Sequence, residues 1–224
     1  SDRQQMLQRP FEHRVVVRTT PFNLPDYLEK ASPLPIQEVY AALAKDEPRN
    51  QLIVADVVSA IRSNRFPILL TERRDHVDAL ASRLAAHIPH IFVMEGGMGK
   101  KQKKRLVEHM ASLPADQPRL IVATGRYLGE GFDDDRLDTL FLALPISWRG
   151  TLTQYAGRLH RLNSAKKEVI VYDYVDANVP VLARMYLKRR TGYKAIGYKV
   201  GEPAKAMTTS QLVLSKFAQA PETI

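Results

Sequence analysis

The sequence predicts an α/β fold, an open and mostly parallel sheet flanked by helices. Short, wholly apolar runs such as Ile68-Leu69-Leu70 recur along the chain, the mark of strands covered on both faces. Between them lie segments whose apolar residues fall three or four apart, the period of helices packed on a sheet. There is no internal repeat and no cysteine, which excludes a solenoid, a disulfide scaffold, a thiolate zinc site and a cysteine nucleophile.

In chain order, Arg14-Val15-Val16-Val17-Arg18-Thr19 reads as a β-branched strand, followed by a Pro-punctuated, linker-like stretch over residues 20–35. Two helices are predicted next, over Ile36–Ala44 and about Gln51–Asn64, the second with Ile53, Val54, Val57, Val58 and Ile61 on one face. From Phe66 the alternation is regular. Strands are predicted over Pro67–Thr71, Ile91–Met94, Leu120–Ala123, Thr139–Leu144 and Glu168–Val175. The intervening helices carry Val77, Leu80, Ala81 and Leu84, then Leu106, Val107 and Met110, then the segment Thr151–Leu162; a last helix begins near Pro180. The pattern divides the chain into a linker or accessory segment (1–65), the main α/β domain (66–195) and an extension (196–224) with a short helix over Ser210–Ala218.

Lys and Arg outnumber Asp and Glu by 33 to 24, a formal net charge of +9. Such an excess points to a polyanionic partner, nucleic acid first, against the plainer reading of a basic, solubilising surface. No run reaches the ~18 apolar residues of a membrane span, and the polar start SDRQQMLQRP is no signal peptide. The expected location is cytoplasmic, with no membrane partner.

In an open parallel sheet, ligands bind at the carboxyl ends of the strands. Three loops there stand out: Thr71-Glu72-Arg73-Arg74, Gly96-Gly97-Met98-Gly99-Lys100-Lys101, and Thr124-Gly125 through Gly129, Gly131 and Asp133. Gly99-Lys100 is not the end of a phosphate loop, because Met94 and Lys101 occupy the positions that need Gly and Ser or Thr. Its Gly and Lys residues suit a backbone phosphate near a helix N-terminus instead. The glycines after Thr124 let a phosphate approach main-chain N–H groups, and Asp133 can accept from a ribose hydroxyl or simply close a turn. In Gln154-Tyr155-Ala156-Gly157-Arg158-Leu159-His160-Arg161, helical spacing puts Gln154, Arg158 and Arg161 on one face, with Gly157 allowing close approach. Two such guanidiniums form either a solvated basic face or a fork for a transferring phosphoryl group.

Together and in order, these pieces resemble the C-terminal RecA-like domain of a superfamily 2 helicase of the DEAD/DEAH-like kind. Gln154-x-x-Gly157-Arg158-x-x-Arg161 resembles motif VI, Ala123-Thr124-Gly125 through Gly131-Phe132-Asp133 resembles motif V, Ile68–Thr71 resembles motif IV, and Glu95-Gly96-Gly97-Met98 resembles the Gly-Gly turn after the next strand. The likeness covers about residues 66–180 and is nearer to DNA translocases of repair, restriction and conflict systems than to DEAD-box RNA helicases, whose motif VI begins His-Arg. It implies a P-loop NTPase-type fold without its own phosphate loop, and ATP with Mg2+ bound mainly by a first RecA-like domain in the same or another chain. Arg158 and Arg161 would be fingers on the terminal phosphate with Gln154 beside them. Asp133, Gly131 and Gly157 would line the nucleotide. Thr71, Gly97, Thr124 and Gly125 would hold one strand, DNA rather than RNA, helped by Arg73, Arg74, Lys100 and Lys101. This chain alone would be inactive.

The six histidines offer no metal-ligand spacing, and no metal site is expected. The run Lys100, Lys101, Lys103, Lys104 and Arg105 is either a solvated helix face or a nucleic-acid contact. The stretch Tyr186–Tyr198 either stacks bases and grips backbone or caps a core with its tyrosines. The rival to the motor reading is a stand-alone basic nucleic-acid-binding or regulatory module that has lost ATP chemistry; a RecA-like scaffold for a protein partner is the third.

Overall fold

The computed structural model describes residues 11–114, 116–125, 134–146, 159–161, 163 and 166–203. Seven parallel strands form one sheet: β1 (Glu12–Thr19), β2 (Pro67–Thr71), β3 (Ile91–Met94), β4 (Leu120–Thr124), β5 (Thr139–Leu142), β6 (Glu168–Val175) and β7 (Lys199–Val200), in the order β3-β4-β2-β5-β6-β1-β7. The described helices are α1 (Asp26–Glu29), α2 (Ile36–Lys45), α3 (Glu47–Arg62), α4 (Arg74–Leu84), α5 (Lys100–Ser112) and α6 (Pro180–Ala195).

Every residue of β2 and β5 is buried, as expected of strands covered on both faces. Alternate side chains feed two apolar layers. Ile68 and Leu70 join Met94, Ile121, Leu140 and Val171 under α5 and α6, whereas Leu69 joins Val122, Phe141 and Tyr174 under α3 and α4. β-Branched residues are poor helix formers, costing up to ~0.7 kcal/mol each. In α3, Ile53, Val57 and Ile61 nevertheless hold helix because burying each contributes ~1.5–3 kcal/mol. Asp46 caps this helix by accepting from Arg49 N at 2.9 Å, and Pro48 occupies its first turn, so it starts at Glu47 rather than near Gln51.

The sequence reading of 1–65 as an accessory segment differs from this arrangement. β1 pairs in parallel with β6 in register from Glu12↔Glu168 to Thr19↔Val175, and α3 packs on the sheet, so residues 12–62 are built into the same domain. The reason is burial: Val15 and Val17 cover one layer, each 1% exposed. β7 likewise pairs with β1, which brings residues 199–200 into the sheet. The expected helix over Ser210–Ala218 lies outside the described residues.

Candidate nucleic-acid interface at the carboxyl edge

The chain passes from β2 over β4 to β3, returns to β4, and then crosses β2 to reach β5. The carboxyl ends of β3, β4 and β2 therefore lie side by side, where three of the glycine- and arginine-rich loops begin. They are tied to one another. Gly125 N donates to the Thr71 carbonyl at 3.1 Å, Gly96 N reaches Thr124 Oγ1 at 3.4 Å, and Arg74 Nη2 donates to the Gly96 carbonyl at 2.7 Å. Gly97 sits at φ +96°, a backbone conformation that favours glycine, with the Arg74 guanidinium lying over it. Thus Thr71, Arg73, Arg74, Gly97, Thr124 and Gly125 come together as the sequence places them, in one loop cluster.

Their chemistry differs from the expectation that all would touch phosphate. Thr71 is wholly buried, and its hydroxyl lies 2.9 Å from His76 Nδ1. Asn50 Nδ2 donates to the Ala44 carbonyl, which leaves Asn50 Oδ1 to accept from His76 Nε2 at 2.9 Å. Burial first, and the Arg49 cation second, hold the His76 pKa down at about 3. The ring is therefore neutral, with its proton on Nε2 and an acceptor at Nδ1, so Thr71 must donate its hydroxyl proton inward. Thr71 Oγ1 keeps only acceptor capacity, directed at Arg73 N at 3.5 Å. It positions the loop; its hydroxyl has no proton to give a phosphate.

Arg73 is held by Asp75 through two bonds of 2.9 and 2.6 Å, and that pairing lowers the Asp75 pKa. Arg74 pairs with Glu95 at 3.4 Å besides closing the Gly96-Gly97 turn. Lys100 and Lys101 are exposed in the first turn of α5, whose N-cap, Gly99, offers no side-chain cap and whose first turn holds no acid. Main-chain N–H groups, the helix dipole and two ammonium groups converge there, an arrangement that attracts anions.

Gln154, Gly157, Arg158, Gly131 and Asp133 lie outside the described residues. Arg161 is exposed, and Lys166 Nζ donates to its carbonyl at 2.9 Å and to that of Leu159 at 2.8 Å, so an ammonium holds this turn from below. Among the described residues, no group of three or more His, Cys, Asp or Glu is placed to hold a metal ion, and no helix is long and apolar enough to cross a membrane.

T4 UvsW superposes on 85% of this chain with a TM-score of 0.64 at 14% identity, the match covering 41% of that protein. Mss116p DEAD-box helicase domain 2, solved bound to an RNA duplex, matches 86% of this chain and 65% of its own, with a TM-score of 0.50 and 15% identity. The fold is that of a helicase C-terminal RecA-like domain. In this RecA-like domain, as the sequence resemblance implies, the sheet is parallel throughout and flanked by helices on both faces. Transcript termination protein A18 of Camelpox virus (strain CMS) is 27% identical over 184 residues, 75% of this chain. The RecA-like chain spans about a third of that relative's length, 36%. No protein-family model matches it.

Proposed function

We propose that the chain is the second motor domain of an ATP-dependent nucleic-acid helicase or translocase. What supports this most is the loop cluster: three strand ends bring the Gly96-Gly97 turn, Thr124-Gly125 and the basic start of α5 onto one continuous edge. Phosphates of one strand lie along that edge, held by Lys100, Lys101 and the open N–H groups of α5. Arg73 and Arg74 shape the edge through their pairs with Asp75 and Glu95. DNA is the preferred strand. The name of the relative, a transcript termination protein, supports a motor that works on nucleic acid, with RNA as the competing strand.

ATP and Mg2+ are bound mainly by a first RecA-like domain, and Arg158 and Arg161 reach the terminal phosphate from this one, with Gln154 alongside and Asp133, Gly131 and Gly157 lining the nucleotide. A domain that only binds strand has no use for this set of residues. The test joins the chain to a phosphate-loop domain and measures ATP turnover with single-stranded DNA or RNA. Arg158→Ala and Arg161→Ala should each lower turnover by about 10³-fold or more, the scale of an arginine finger. Turnover within about threefold of the parent would remove the finger assignment.

A further inference from the structure

The stretch Tyr186–Tyr198, read from the sequence as stacking platform or core cap, divides cleanly in the structure. Tyr186, Tyr193 and Tyr198 are buried, and Arg189 is buried against Asp173 through two 2.8 Å bonds, with the Tyr193 hydroxyl also donating to Asp173 at 3.0 Å. What remains outside is two pairs of cations, one on either side of the exposed Leu187. Arg184, Lys188, Arg190 and Lys194 are all exposed on α6, which contains no acidic residue. None of the four forms an ion pair with a described residue. The pairs Arg184/Lys188 and Arg190/Lys194 are spaced i,i+4, a like-charge arrangement that costs an isolated helix ~0.2–0.5 kcal/mol each.

We infer that the outer face of α6 is a second polyanion-binding surface, and that its ligand is the sugar-phosphate backbone of duplex nucleic acid. Arg184 and Lys194 are separated by about 15 Å along the helix axis at 1.5 Å per residue. Over that length of axis a duplex carries about four phosphates on each strand, at one per ~3.4 Å. With the tyrosines turned inward, no ring is offered to a base, so the contact is electrostatic and blind to sequence. The same apolar layer that seats Tyr186 and Tyr193 also seats Leu106 and Met110 of α5, so both basic helices ride on one face of the sheet. This surface does not depend on the ATP-motor reading, since it needs neither Arg158 nor a partner domain.

The experiment measures binding of a short DNA duplex to the chain as a function of salt. The test variant is Arg184→Gln/Lys188→Gln/Arg190→Gln/Lys194→Gln, and the control is Lys30→Gln/Lys45→Gln/Arg62→Gln/Lys167→Gln, which removes the same charge from exposed positions elsewhere. Four lost phosphate contacts should cut the salt slope by about 3–4 and weaken binding more than about tenfold, while the control keeps its slope. The half variants Arg184→Gln/Lys188→Gln and Arg190→Gln/Lys194→Gln should each remove about half of that slope, which guards against a misfolded quadruple variant. Equal loss in test and control would overturn the inference, as would polyglutamate binding as tightly as the duplex. Lys100→Gln/Lys101→Gln, measured alongside, reports on the carboxyl edge separately, so either surface can fail without the other.

Discussion

The two halves of the sheet's carboxyl edge are built on opposite principles. Over β5, β6 and β1 the edge is sealed: α1 and α2 fold across it, burying Phe22, Leu28, Val39 and Leu43 with Leu144, Val179 and Leu182. Beneath that cap Arg49 and Asp176, neither exposed, pair at 2.9 Å, while Arg49 also donates to the Ala143 carbonyl and Thr20 to Asp176. Over β3, β4 and β2 the edge is open among the described residues, carrying Gly96, Gly97 and the exposed lysines of α5. Adjacent residues of α3 serve both halves, Arg49 the sealed one and Asn50, through His76 and Thr71, the open one. Charge is buried in an ion pair in one half and left exposed at Lys100 and Lys101 in the other.

The largest effect should come from the sealed half. Arg49→Met leaves the Asp176 carboxylate buried without its cation, a change that typically costs about 3–5 kcal/mol. Urea unfolding should register that loss. Arg49→Met/Asp176→Leu should recover much of it, because removing both charges removes the stranded one. A double variant no more stable than the single one would mean that the seal depends on the hydrogen bonds to Ala143 and Thr20 rather than on charge pairing. Duplex binding by the double variant should stay near the parent's, since within the open half only the His76 ring, which loses its Arg49 neighbour, feels the change.

The open half was the more legible in sequence. Glycines after apolar runs announce strand ends by residue type alone, and the lysines beside them a basic edge, whereas which strand ends lie side by side is seen only in the sheet order. The seal carried no such signal. Arg49 lies just before the helix predicted from about Gln51, and Asp176 lies 127 positions away, so their pairing needs the fold to be known. β1 was legible as a strand from Val15-Val16-Val17, but its seat beside β6 depends on contacts about as distant. Thr71 lies in the loop cluster, but its hydroxyl is committed to His76, one of six histidines that no spacing singled out. Only a buried ring with an acceptor on one side and a donor on the other reveals it.

The link between the halves can be read through pH. His76 is neutral when folded, with its pKa held at about 3 by burial, whereas an unfolded histidine titrates near 6.5. Between those values the unfolded chain binds the extra proton, so stability falls as the pH is lowered through 6.5 and the loss continues toward 3. From pH 6.5 to pH 5 this one ring should remove about 1.6 kcal/mol. Comparing the parent with His76→Gln by thermal unfolding isolates that share from the carboxylates. Parallel pH profiles would show that the ring is protonated in the folded protein and that Thr71 does not donate to it.

The smallest expected effect belongs to the Gly-Gly turn, and it separates backbone shape from charge on the open half. Gly97→Ala forces a side chain onto φ +96°, a strain of about 1–2 kcal/mol. Space is not the obstacle, since the added carbon would lie 3.6 Å from Arg74 Nη2, an ordinary contact. The turn should relieve the strain locally by shifting the Gly96 carbonyl away from Arg74, so DNA binding should weaken more than global stability does. Arg74→Lys, which keeps the charge but loses the fork that meets Gly96, should weaken binding in the same way. If Arg74→Lys binds like the parent while Gly97→Ala does not, the turn is held by its own backbone and the guanidinium is dispensable to it.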